Sequence, residues 1–164
     1  MEQSQSPAGQ ILKLWNRLRD RPGGKWLFTR GVCFKAPYFG SIAPSIRELE
    51  PGRCEVRAKN RRRVHNHIGT FHAIAACNMA ELAAGVMTDA TVPPSHRWIP
   101  KGMTVSYLAK AETDLTATAK LDSLPEFGDL PQEILVPVDI VDTSGKAVVR
   151  AEITMYVSPR KNPG

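Results

Sequence analysis

Apolar residues recur at helical spacing from Ile11 through Leu12, Leu14 and Trp15 to Leu18, and Pro22-Gly23-Gly24 ends the run. The pattern predicts a short amphipathic helix that serves as a lid or brace on the main body, with residues 1–8 before it as a disordered tail. Trp26 to Lys35 fits either a strand or an irregular connection, and Ala36-Pro37-Tyr38-Phe39-Gly40 breaks the chain again. Ile42 to Leu49 is strand-like, and Glu50-Pro51-Gly52 makes a turn. From Arg53 to Val64 the period is two. Arg53, Glu55, Arg57, Lys59, Arg61 and Arg63 fall on one face, and Cys54, Val56 and Ala58 on the other. That alternation predicts a half-buried strand with a solvated, charged face.

Thr70 to Thr88 reads differently. It is apolar on nearly every side and rich in Ala and Leu, which predicts a helix buried all round. Four strands follow, over Trp98–Ala111, Leu115–Leu121, Glu133–Asp142 and Ala147–Ser158. Leu124 to Gln132 is a loop, and Asp142-Thr143-Ser144-Gly145 is a hairpin turn. Two strands, one helix and four more strands make an α+β arrangement in which the sheet curls around the helix to bury it. Residues 41–158 form this body. Residues 1–40 supply a tail, an amphipathic helix and a connection, and 159–164 a C-terminal tail.

Composition narrows the class. The chain of 164 residues is 42% hydrophobic and 23% charged, as expected of one globular domain. With 22 Lys and Arg against 16 Asp and Glu, the net charge of +6 admits an anionic partner. Cys33, Cys54 and Cys77 are odd in number and include no CxxC pair. Neither a disulfide framework nor a cysteine-rich zinc site is expected, and a reducing cytoplasm is the simplest compartment. Met1 to Gln10 lacks an apolar signal core, and no run of about 18 uncharged apolar residues occurs, so no membrane partner is expected. Arg61-Arg62-Arg63 comes without an aromatic stacking motif, which sets nucleic acid aside.

Glu81 is the only acidic or basic residue between Val64 and Thr88, His aside. An unpaired carboxylate in an apolar setting is costly, so its pKa rises or it finds a partner: it reaches a wet edge or a structural hydrogen bond, or it serves as a general base or nucleophile in a pocket. Just before the helix the chain reads Asn66-His67-Ile68-Gly69-Thr70-Phe71-His72-Ala73. Gly69 permits a close approach to the helix start. The first helical N–H groups lack internal partners, which suits a developing oxyanion. Asn66 is placed to hold a carbonyl or a water. His65, His67 and His72 lack the carboxylate or thiolate company of a zinc site, so no metal is expected. Cys77 reads as a buried structural thiol. Ala73 and Glu81 are eight residues apart, roughly 12 Å along a helix. Two antiparallel copies of the helix would bring one copy's N-terminus to the other's Glu81, so the site predicts a homodimer with two shared sites.

On the motif Asn66-x-x-Gly69-Thr70-x-His72-Ala73, with Glu81 eight positions on, the chain resembles the hotdog-fold acyl-CoA thioesterases, particularly the phenylacetyl-CoA thioesterase branch. Met103-Thr104-Val105-Ser106-Tyr107-Leu108-x-x-Ala111 also looks like that family's strand after the helix. The resemblance covers roughly residues 41–158. It implies a hotdog fold, that is, a curled antiparallel sheet around one long helix, in homodimers or tetramers. It also implies hydrolysis of thioesters of coenzyme A or an acyl carrier protein, with no cofactor beyond the coenzyme A of the substrate. Carried over residue by residue, the backbone N–H of Ala73 polarises the thioester carbonyl, Asn66 orients the carbonyl or the water, and Glu81 of the partner chain activates water or attacks directly. Gly69, Thr70 and His72 then line the substrate pocket, with His72 beside the leaving sulfur or supporting the loop. Arg61, Arg62, Arg63 and Lys101 are the candidates for the coenzyme A phosphates. Two departures bear on activity. His72-Ala73-Ile74 stands where the family commonly has His-Gly-Gly, and Glu81 where it often has Asp. A non-catalytic acyl-CoA-binding protein and a hydratase or dehydratase using His72 and Glu81 are the rival readings.

Overall fold

The computed structural model describes residues 9–160. The chain opens with helices α1 (Gln10–Leu18) and α2 (Gly24–Lys35), and a 3-10 turn over Pro37–Ile42 leads to strands β1 (Ser45–Glu50) and β2 (Arg53–Ala58). A second 3-10 turn, Arg62–Val64, precedes the long helix α3 (Ala73–Thr91). Strands β3 (His96–Tyr107), β4 (Leu115–Lys120), β5 (Gln132–Val141) and β6 (Ala147–Pro159) complete the chain. The six strands form one antiparallel sheet in the order β1-β2-β4-β5-β6-β3. It curls around α3, which is the hotdog fold.

Alternation explains both the sheet and its core. Cys54, Val56 and Ala58 of β2, Leu115, Ala117 and Ala119 of β4, Val136, Val138 and Ile140 of β5, and Ala151, Ile153 and Met155 of β6 are all buried. They face Met79, Ala80, Leu82, Ala83, Ala84 and Met87 of α3, buried in turn. The alanines let the helix lie close in the sheet's concavity, and a close fit excludes voids that would cost stability. Where β2 ends at Ala58 the charged stripe leaves the ladder. Arg61 and Arg63 therefore sit in a loop and a 3-10 turn rather than on a strand running to Val64.

The segment Trp26–Lys35 is neither strand nor irregular connection but the body of α2. Its apolar residues lie on all sides of the helix, with Phe28 buried and Trp26, Leu27 and Phe34 exposed, so no helical stripe marks it in the sequence. Two glycines make the turn before it. Gly23 has φ 72°, a left-handed conformation that favours glycine, and a Cβ on Gly24 would sit 1.8 Å from the Leu18 carbonyl oxygen. The tight reversal sets Trp15 of α1 edge-on to Phe28 at 5.0 Å between ring centroids. Thr29 and Lys25 then point at β1. The Thr29 hydroxyl accepts the Ile46 N–H at 3.0 Å, and the Lys25 ammonium donates to the Arg47 carbonyl at 2.8 Å. The outer edge of the sheet is thereby closed by side chains of α2.

Candidate active site

The segment between β2 and α3 folds into a compact loop around Asn66. Its side-chain oxygen accepts the N–H groups of Ile68 (3.1 Å) and Thr70 (3.0 Å), and its NH2 donates to the Thr70 hydroxyl at 2.8 Å. The backbone closes the same loop, because Asn66 N–H donates to the Thr70 carbonyl and Gly69 N–H to the Asn66 carbonyl. Gly69 at φ 79° supplies the left-handed residue this reversal requires. The Asn66 oxygen is thus occupied by the loop itself. Only one N–H of its amide remains for a ligand.

The loop delivers the chain to the start of α3. His72 N–H donates to the Val64 carbonyl at 2.7 Å and Phe71 N–H to the Ala111 carbonyl at 2.8 Å, which fixes the entry. His72 is the N-cap residue. Its Nδ1 accepts the Ile74 N–H at 3.0 Å, which leaves the ring proton to Nε2 at the exposed end of the side chain. Ala73 is the first helical residue, and among the described residues nothing accepts its N–H. Ala75 N–H likewise has no acceptor among the described residues, so the first turn presents free N–H groups on either side of the capped one, with the positive end of the macrodipole behind them.

Glu81 stands on the side of α3 left uncovered by the protomer. The helix is buried from Ala76 to Ala80 and from Leu82 to Thr88, but Glu81 itself is exposed, and so is Ile74 two turns earlier on the same side. The expectation of a helix buried all round therefore holds except on this face. Glu81 opens into a cleft of about 270 Å³ lined by Pro100, Lys101, Gly102, Met103 and Ile153, where β3 bulges between Pro100 and Gly102. Lys101 pairs with Glu133, a contact whose hydrogen bond and charge hold its ammonium pKa above the ordinary lysine value. One turn before Glu81, the Cys77 sulfur lies 3.4 Å from the Tyr107 hydroxyl, and that hydrogen bond raises the Tyr107 pKa.

Asn66, Gly69, Thr70, His72 and Ala73 are thus brought together at one junction, while Glu81 and Lys101 share a second place along the helix. The three histidines do not converge. His65 is partly buried with no partner for Nε2, His67 is exposed, and no metal-ligating cluster forms among the described residues. The basic residues divide. Arg61 and Arg63 line a cavity at the end of the sheet together with Arg47, Arg57 and Lys59, whereas Arg62 does not line it and Lys101 lies elsewhere. Arg57 and Lys59 were visible in the sequence only as members of an alternating charged face. Arg47 joins them because β1 pairs with β2 in the register Ser45 to Arg57.

The profile of a family described as domain of unknown function DUF4442 matches residues 24–157. The chain belongs to that family. A solved structure titled genomics APC5556 is 47% identical, covering 92% of this chain and 99% of its own, with a TM-score of 0.79. The Pseudomonas aeruginosa protein PA5026, described as a probable thioesterase, is 22% identical over 78% of this chain and 91% of its own, with a TM-score of 0.70. The Haemophilus influenzae thioesterase HI1161 is 14% identical over 84% and 94%, also with a TM-score of 0.70. No curated protein sequence matches significantly. This member of the DUF4442 family therefore has the fold of structures named as thioesterases. None of its helices among the described residues is long and apolar enough to cross a membrane.

Proposed function

We propose that the protein is an acyl thioester hydrolase that works as a homodimer on thioesters of coenzyme A or of an acyl carrier protein. The observation that carries this reading is the free N–H of Ala73 at one end of α3, with Glu81 in a cleft roughly 12 Å further along the same helix. Two such helices, antiparallel across a two-fold axis, make two complete sites. In each, the Ala73 N–H receives the carbonyl oxygen of the thioester. The Glu81 carboxylate of the other subunit takes a proton from water as the hydroxide adds to the carbonyl carbon. The tetrahedral oxyanion stays on the Ala73 N–H; its collapse re-forms the C=O bond and breaks the C–S bond, and the proton held by Glu81 passes to the leaving sulfur, which releases the thiol and the acid and restores the carboxylate. Direct attack by Glu81 would instead give an anhydride that water then cleaves. Asn66 positions the Ala73 N–H by holding the loop, and His72 fixes the helix cap through Nδ1. The substrate's coenzyme A is the only cofactor called for, and three free cysteines fit a reducing cytoplasm.

Subunit mixing tests the reading. Glu81→Ala is expected to fold as a dimer and to lose about 10²–10⁴-fold in turnover. An equal mixture of Glu81→Ala and Ala73→Pro chains, unfolded and refolded together, is expected to recover about a quarter of wild-type activity, because heterodimers keep one intact shared site. Wild-type turnover by folded Glu81→Ala would overturn the role of Glu81, and no recovery on mixing would overturn the shared site. The binding-only reading draws on Ile74, half exposed where the related pattern has glycine. Tight acyl-CoA binding without thiol release would favour it.

A further inference from the structure

A cavity of about 360 Å³ opens at the end of the sheet where β1 and β4 begin and β2 ends. Ile42 and Leu115 supply apolar lining, and Arg47, Arg57, Lys59, Arg61 and Arg63 surround it with five cations. The single carboxylate among the lining residues is Asp114, and it is engaged: its oxygen accepts the Asn60 N–H at 2.8 Å. Arg57 Nε lies 3.6 Å from Glu55, and none of the other four cations has a carboxylate within ion-pair distance among the described residues. Five like charges around one concavity repel each other, and a bound anion removes that cost. Ala43, in the cavity wall, adopts φ 47°, a left-handed conformation that non-glycine residues rarely hold unless surrounding structure imposes it.

The cavity is tied to the start of α3. Arg63 precedes Val64, whose carbonyl holds the N–H of His72, which in turn precedes Ala73. Two steps between neighbouring Cα atoms and one hydrogen-bonded crossing place the Arg63 Cα at most about 13 Å from that of Ala73. An acidic protein would need a broad contact of about 800 Å² per partner, whereas a concavity with apolar lining and guanidinium forks suits a small phosphorylated molecule.

We infer that this cavity binds the phosphate groups of a nucleotide. Resting on the thioester-hydrolase reading for its identity, that nucleotide is the phosphorylated end of a coenzyme A thioester, with the pantetheine arm running along the loop toward Ala73. Isothermal titration of the full chain with adenosine 3′,5′-bisphosphate tests this directly, without reference to turnover. Binding is expected for the wild type, weakening as salt rises. It is expected to be at least tenfold weaker in folded Arg57→Ala/Arg61→Ala, with Arg47→Ala as the alternative variant if the double one does not fold. In turnover, the double variant is expected to lose at least tenfold more on an acyl-CoA than on the acyl-N-acetylcysteamine thioester, which has no nucleotide. No bisphosphate binding by the wild type, equal binding by wild type and variants, or inorganic phosphate binding as tightly as the bisphosphate would overturn the inference. If neither thioester is hydrolysed, the proposed function fails while the titration still decides the cavity.

Discussion

The two edges of the sheet are finished in opposite ways. The β1 edge is six residues long, bulged between Ile46 and Glu48, and stitched to α2 through the Ile46 N–H and the Arg47 carbonyl. The β3 edge is twelve residues long. It leaves Ile99, Met103 and Tyr107 exposed, with Leu108 just beyond, and it flanks the uncovered face of α3 that carries Ile74 and Glu81. A short, bulged, covered edge resists pairing, whereas a long apolar one invites it. The difference bears on the proposed dimer: a second copy would pair on β3, beside Glu81, and away from β1, whose surroundings include the basic cavity.

Substitutions can break that contrast. The largest effect is expected from Met103→Lys combined with Tyr107→Lys, which sets like charges against their own copies across a two-fold axis. The dimer should dissociate to monomers by sedimentation, and turnover should disappear with it. Glu50→Lys on β1 should leave the oligomeric state unchanged, and a dimer lost through β1 rather than β3 would reverse the assignment. Ala73→Pro comes next. Proline is tolerated at the first helical position, and His72 with ψ 135° already has the backbone that a following proline requires. The exchange removes only the N–H, so kcat should fall about 10²–10³-fold while circular dichroism and oligomeric state stay as in the wild type.

On the closed edge, Thr29→Val leaves the buried Ile46 N–H without its acceptor. It should cost about 1–3 kcal/mol in denaturant unfolding with little change in the native oligomer. The smallest effect lies away from both edges, in the β5–β6 turn. Hydrogen bonds from the Ser144 hydroxyl and from the Ser144 and Lys146 N–H groups hold the Asp142 carboxyl below its ordinary pKa. A lowered folded-state pKa contributes stability above the unfolded value and loses it as pH falls through the folded one. Asp142→Asn should therefore lower stability slightly at neutral pH and converge with the wild type in acid, so that the fall in stability on acidification below about pH 4 becomes shallower.

Much of this was legible in the chain. Period two gave β2, β4, β5 and β6 within a few residues, because one buried face repeats in the sequence whatever its partners are. The alanine-rich run gave α3, and Asn66 to Ala73 was recognisable because a left-handed glycine and a free helix start are local features. What stayed hidden depends on other elements. α2 has no stripe to read, since it buries Phe28 and Thr29 while leaving Trp26, Leu27 and Phe34 outside. The exposure of Glu81 follows from where the sheet stops, which no local pattern encodes. The five-cation cavity needs the pairing of β1 with β2, Ser45 opposite Arg57, to bring the β1 side chain Arg47 into the same wall, and the charged stripe alone reads as a wet face.

The N-terminal helices do more than close an edge. Residues 1–40 hold seven cationic and two anionic side chains, and residues 41–164 hold fifteen and fourteen, so nearly all of the net +6 lies outside the hotdog body. Lys25, at the base of this charge, touches the β1 backbone at Arg47. Under the inferred nucleotide binding, an approaching polyanion would be steered toward the β1 side of the molecule by a diffuse field that fades beyond about 8 Å at physiological ionic strength. The near-neutral body then leaves the final discrimination to shape and short-range contacts. Shortening the chain from its N-terminus would slow capture of such a ligand before it changed the grip on it.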